Sequence, residues 1–114
     1  MATEVFKILG QVAPGTTNTA LYTVPAGKSA VISTIAVCNQ TASDVTFRIA
    51  TQKAADASTA TILAKQYIAY GSTVAANDTT FVTIGATLAA GDQIVVYGSS
   101  SSISFNAYGS EVTP

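Results

Sequence analysis

The sequence contains no histidine, no tryptophan and one cysteine. Histidine is the ordinary general base near neutral pH. Its absence removes Ser-His-Asp and Cys-His nucleophilic schemes and His-ligated zinc from this chain. One cysteine cannot form an internal disulfide or a thiolate cluster around a metal. Charge is scarce too. Charged residues are 10% of the chain, where a soluble domain averages about 25%. Five Lys and Arg against six Asp and Glu leave a net charge of −1. That provides no basic field for a nucleic-acid backbone. Met1 to Lys7 shows no basic segment followed by an apolar run, so no secretory signal is read there. Ala30–Cys38, the longest weakly polar stretch, is about half a membrane span and is interrupted by Ser33 and Thr34. The expectations are no cofactor, no metal, no nucleic acid and no membrane, in a protein made in a reducing cytoplasm.

What the chain does contain is apolar and β-forming. Hydrophobic residues make up 48% of its 114 residues, and the mean hydropathy is +0.40. Such a chain is not disordered. A chain of this mass folds to roughly 5,800 Å² of surface, enough to close one core. Residues 1–114 are read as a single β-sandwich domain, with 1–19 a strand and loop able to act as an arm. Runs of Val, Ile, Thr, Tyr and Phe recur between Gly, Pro, Asn, Asp and Ser turns. They place strands near Val5–Gln11, Ala20–Val24, Ser29–Asn39, Val45–Thr51, Leu63–Tyr70, Thr79–Ile84, Gln93–Tyr97 and Ile103–Tyr108. The fold class is therefore all-β, an eight-stranded antiparallel β-sandwich of jelly-roll-like form.

Strand patterns differ in an informative way. Val45, Phe47 and Ile49 alternate with polar or small residues, and so do Ile103, Phe105 and Ala107. Those strands have one core face. Two others are apolar on both faces. Strict alternation in Ser29–Asn39 puts Val31, Ile35 and Val37 on one side and Ala30, Ile32, Ala36 and Cys38 on the other. In Gln93–Tyr97, Ile94 and Val96 oppose Val95 and Tyr97. A two-layer sandwich buries one face of each sheet. The second apolar face needs a cover, either a loop such as Lys53–Thr61 or a neighbouring subunit. Ala30, Ile32, Ala36 and Cys38 are the candidate subunit interface.

The motifs that touch on chemistry are weak. Gly27-Lys28-Ser29 ends like a phosphate loop, but Tyr22 stands where the first Gly belongs and a strand follows. Asp78, Asp92 and Glu111 read as turn-forming and solubilising acids, with nothing to pair any two across a cleft. Cys38 reads as a small buried hydrophobe. Tyr22, Tyr67, Tyr70, Tyr97 and Tyr108, with Arg48, are read as packing residues, with a sugar-stacking face as the alternative. Asn39-Gln40-Thr41 and Asn77-Asp78-Thr79 match the glycosylation pattern but mark only surface turns without a secretory route.

Several phrases occur in a suggestive order. They are Leu21-Tyr22-Thr23-Val24-Pro25-Ala26-Gly27-Lys28, Ala36-Val37-Cys38-Asn39-Gln40 and Thr46-Phe47-Arg48-Ile49. Thr87-Leu88-Ala89-Ala90-Gly91-Asp92-Gln93-Ile94 and Ser104-Phe105-Asn106-Ala107-Tyr108-Gly109 follow. From about Leu9 to Glu111 the chain resembles small virion structural proteins of tailed bacteriophages. The resemblance implies a β-sandwich without catalysis that decorates or joins a particle, and it carries over no catalytic residue. The function expected is a capsid decoration (cement) subunit of the virion, assembled in the host cytoplasm. Its expected partners are itself, as a homotrimer or ring, and the major capsid protein or other virion proteins. The alternatives are a tail, baseplate or head–tail joining protein and, in another class, a carbohydrate-binding module.

Overall fold

The computed structural model describes residues 2–114. Eight strands run in chain order: β1 (Thr3–Val12), β2 (Thr19–Thr23), β3 (Ser29–Asn39), β4 (Val45–Gln52), β5 (Tyr67–Val74), β6 (Thr79–Leu88), β7 (Gln93–Gly98) and β8 (Ile103–Thr113). They form two four-stranded antiparallel sheets, ordered β1-β8-β3-β6 and β2-β7-β4-β5. Only the β4–β5 connection stays within one sheet, and every other connection crosses to the facing layer. That interleaving is the double Greek key of a jelly roll. The expected fold class is the observed one.

The alternating strands supply the core as their pattern dictates. Val45, Phe47 and Ile49 of one sheet and Ile103, Phe105 and Ala107 of the other are all buried between the layers. The Phe47 and Phe105 rings meet edge to face, 6.1 Å apart at 72°, a favoured aromatic geometry. The surface is 5758 Å², what one closed core of this mass exposes. β1 is paired with β8 from Thr3 to Val12, so residues 3–12 are docked as an edge strand.

β3 departs from strict alternation, and this corrects the sequence reading of its faces. Its register with both neighbours shifts between Ile32 and Thr34. Ser33 is the extra residue of a bulge, and its hydroxyl donates to the Tyr108 carbonyl at 3.0 Å. A bulge moves every later side chain to the opposite face. Ala30 and Ile32 point into the core before it, and Ile35 and Val37 do so after it. The bulge runs across the sheet, with matching shifts at Ile8/Gly10 of β1 and around Gly85 of β6. Gly85 takes a positive φ of 58° there. At Gly109 of β8 a Cβ would overlap the Val31 carbonyl, so the close approach of β8 to β3 requires glycine.

The bounds of three strands differ clearly from expectation. The strand expected at Leu63–Tyr70 lies at Tyr67–Val74, because Ala64–Gln66 forms a single 3₁₀ turn. That turn is held by the Leu63 N–H donating to Gln66 Oε1 at 2.9 Å. β6 and β8 run on to Leu88 and Thr113, carried past Gly85 and Gly109 by the bulge.

Candidate interaction surfaces

Cross-strand partners share a face, so the register defines what each sheet shows to solvent. On the outside of β1-β8-β3-β6, one row runs Phe6–Ser110–Val31–Thr87 and the next Ile8–Tyr108–Thr34–Thr83. A third runs Gln11–Asn106–Ala36–Phe81, and Cys38 lies in a fourth between Ser104 and Thr79. Phe6 is 78% exposed and Phe81 67%, with Ile8, Val31 and Tyr108 also open. The four expected interface residues do not share this face. Ala30 and Ile32 are buried in the core, while Ala36 and Cys38 lie outside. Cys38 is half-buried on that outer face rather than a core residue.

The outside of β2-β7-β4-β5 is built differently. Its first row is Thr23–Gln93–Gln52. Gln93 Nε2 donates to Gln52 Oε1 at 2.8 Å. Gln52 Nε2 reaches the Ser58 carbonyl at 2.9 Å, the Thr61 carbonyl at 3.3 Å and Gln66 Oε1 at 3.0 Å. The Ser58 N–H returns a bond to Gln52 Oε1 at 3.0 Å. This neutral network holds the segment between β4 and β5 down on the sheet. In the next row Val95 and Ala50 are only 2% and 1% exposed, although they lie outside the inter-sheet core. The chain itself thus closes the second apolar face of β7. The Lys53–Thr61 loop belongs to this sheet and leaves the outer face of β3 uncovered.

Beyond that covered strip, Arg48 lies between Tyr97 and Tyr70 in the third row. Its guanidinium carbon is 4.4 Å from the Tyr70 ring centre and 4.5 Å from that of Tyr97. Tyr67 meets Tyr70 edge to face at 4.9 Å. Three of the five tyrosines therefore converge with Arg48 on one outer face, which spread-out sequence positions concealed. Tyr22 is in the core and Tyr108 is on the opposite sheet.

The acids behave as their positions require, with one exception. Asp92 accepts from the Ala54 and Ala89 N–H groups, and Asp78 from that of Thr79. They tie down turns. Glu111 does not solubilise a surface. It is 5% exposed, accepts from the Tyr22 hydroxyl at 2.6 Å and pairs with Lys7 at 2.7 Å and Lys28 at 3.7 Å. The hydrogen bonds from Lys7 and Tyr22 outweigh burial and hold its carboxyl below the usual range. Burial, then the Glu111 carboxylate, pushes the Tyr22 hydroxyl well above the usual tyrosine value. Among the described residues no three His, Cys, Asp or Glu side chains are grouped to hold a metal.

No protein-family model and no curated protein matches the chain. Solved structures do. A chain of the infectious bursal disease virus T13 viral particle superposes with a TM-score of 0.54 at 10% identity, over 98% of this chain and 30% of that one. A chain of the VP2 subviral particle of infectious bursal disease virus gives 0.51 at 12% identity, over 98% and 31%. This chain thus spans less than a third of the length of these two chains, and at this identity the likeness is one of fold.

Proposed function

We propose that this chain is a non-enzymatic structural subunit of a bacteriophage virion, a capsid decoration subunit that binds the assembled shell. The observation that carries the reading is a sandwich exposing Phe6 and Phe81 on a sheet face almost without charge. A neutral face meets a neighbour without the desolvation cost of burying ions. The fold likeness to chains of viral particles supports the same reading, as does the resemblance to tailed-phage virion proteins. The mechanism is bridging. A rigid block touches several shell subunits, and many weak contacts per particle add up. The partners are further copies of itself and the major capsid protein, in a virion assembled in the host cytoplasm. Copy number in purified particles, by quantitative gel densitometry, tests it. Hundreds of copies place the subunit on the capsid. A handful to a few tens favour a tail, baseplate or head–tail joint. None overturns the reading.

One observation favours a second reading, a carbohydrate-binding module. Tyr67 and Tyr70, with Ile62 and Ala64, line a shallow groove beside the Arg48 ladder. Aromatic faces beside hydrogen-bond donors suit sugar rings. Binding of the free protein on a glycan array, abolished by Tyr70→Ala, is the result that would favour it.

A further inference from the structure

We infer that the outer face of β1-β8-β3-β6 is the contact surface for a second copy of this chain. The inference deepens the proposal above and rests on it only for the expectation that the subunit self-associates.

Aromatic side chains carry about 150–250 Å² each, so Phe6 and Phe81 alone leave roughly 300 Å² of ring in water. Ile8, Val31 and Tyr108 extend that surface. The largest apolar patch on a typical monomer is about 300–600 Å² and is often functional. Four strands about 4.8 Å apart and about 33 Å long make a face of about 630 Å², at the lower end of the roughly 600–1,000 Å² that one partner contributes to a standard interface.

Shape narrows the occupant. Phe6 stands on β1 and Phe81 on β6, the two edge strands of the sheet. An occupant that covers both must span three strand spacings, about 14 Å. A peptide running along the strands cannot. Another sheet face can, because stacked sheets bury such surfaces routinely. Electrostatics selects a second copy. Among the described residues, the four rows named on this face carry no ionised side chain, and the end row Glu4–Val112–Ser29 carries one. Glu4 lies at the corner, where it accepts from the Ser110 hydroxyl at 3.0 Å. A face whose one charge sits at its corner meets itself with little like-charge repulsion, which otherwise separates identical surfaces. Ala36 at the centre keeps the approach close. The other sheet offers no equivalent surface, since its own loop closes one part and the Arg48 ladder occupies another.

The test is sedimentation equilibrium of the full chain over a rising concentration series. The wild type self-associates. Phe81→Asp and Phe6→Asp each raise the dissociation constant by about thirtyfold or more, the size of an interface hot spot. Both side chains are exposed in the subunit, so β circular dichroism and the melting temperature stay near wild type. Tyr70→Asp, on the opposite sheet, leaves association unchanged. A wild type that stays monomeric throughout overturns the inference, and so does association indifferent to Phe6 and Phe81. Monomeric protein that still occupies particles, and loses them on Phe81→Asp, assigns the face to a capsid partner and overturns the inference while leaving the virion role intact. Self-association by this face in a protein absent from particles upholds the inference and rejects the virion role.

Discussion

Gln52→Ala tests how the long segment between β4 and β5 is fastened. The Gln52 amide is almost fully buried and makes five close polar contacts with Gln93, Ser58, Thr61 and Gln66. A primary amide has two protons and one oxygen, so about four of these are full hydrogen bonds at any moment. At about 1 kcal/mol net for each, truncation costs about 4 kcal/mol if the segment stays closed. If the segment lifts, its carbonyls regain water and the loss is capped by the cost of opening. We therefore expect a segment about 3 kcal/mol easier to open, which is roughly a hundredfold in the open population. Trypsin reads this directly, because the chain has five Lys and Arg residues and Lys53 and Lys65 bracket the segment. Cleavage after both should accelerate by roughly that factor at native temperature. Binding of a hydrophobic dye should rise as Val95 and Ala50 become uncovered. Unchanged cleavage together with an unchanged melt would refute the claim that this amide fastens the segment.

Other outcomes follow from the same geometry. The Glu111 carboxyl is held below its unfolded value of 4.5, so its contribution to stability is complete above that pH and is lost as pH falls through the lower folded value. Glu111→Gln should flatten acid denaturation in that window, and an unchanged pH profile would contradict the pairing. Tyr22 is shifted the other way, so stability should fall as pH rises above 10. Gly109→Ala forces a methyl group against the Val31 carbonyl. Overpacking of this kind costs about 1–3 kcal/mol, read as a lower denaturant midpoint, and an unaltered midpoint would mean the β3–β8 approach is not as close as described. Cys38→Ser on the outer face should leave assembly intact with only a small change in melting temperature.

Which of these features the sequence could disclose depends on how local their cause is. Val45-Thr46-Phe47-Arg48-Ile49 shows its core face to any reader, because alternation is a property of the strand itself. The ends of β3, Ser29 and Asn39, are marked by neighbouring turns. Its faces are not, because the bulge at Ser33 depends on the neighbouring strands. Strict alternation therefore places Ala30 and Ile32 beside Ala36 and Cys38, although a bulge separates the pairs. Gly85 and Gly109 inside apolar runs were the available signal, since an isolated Gly in a strand often marks a bulge or a close approach. Phe6, Ile8 and Phe81 gave no warning, since each sits in an ordinary β-forming run and only strand order brings β1 and β6 to the edges of one sheet. The burial of Glu111 likewise depends on Tyr22, Lys7 and Lys28, which lie more than eighty positions away in sequence.

Quantitative mass spectrometry of purified particles before and after a salt wash asks whether neutral contacts hold this subunit on a virion. Raising salt from about 0.1 M to about 1 M shortens the screening length from about 10 Å to about 3 Å. Contacts made by ion pairs weaken under that wash, and apolar contacts strengthen or hold. The protein should be present in many copies per particle, and the count should survive the wash. Its absence from particles would overturn the virion role, and its release by the wash would overturn neutral attachment and shift that role to Lys7, Lys28, Arg48, Lys53 and Lys65.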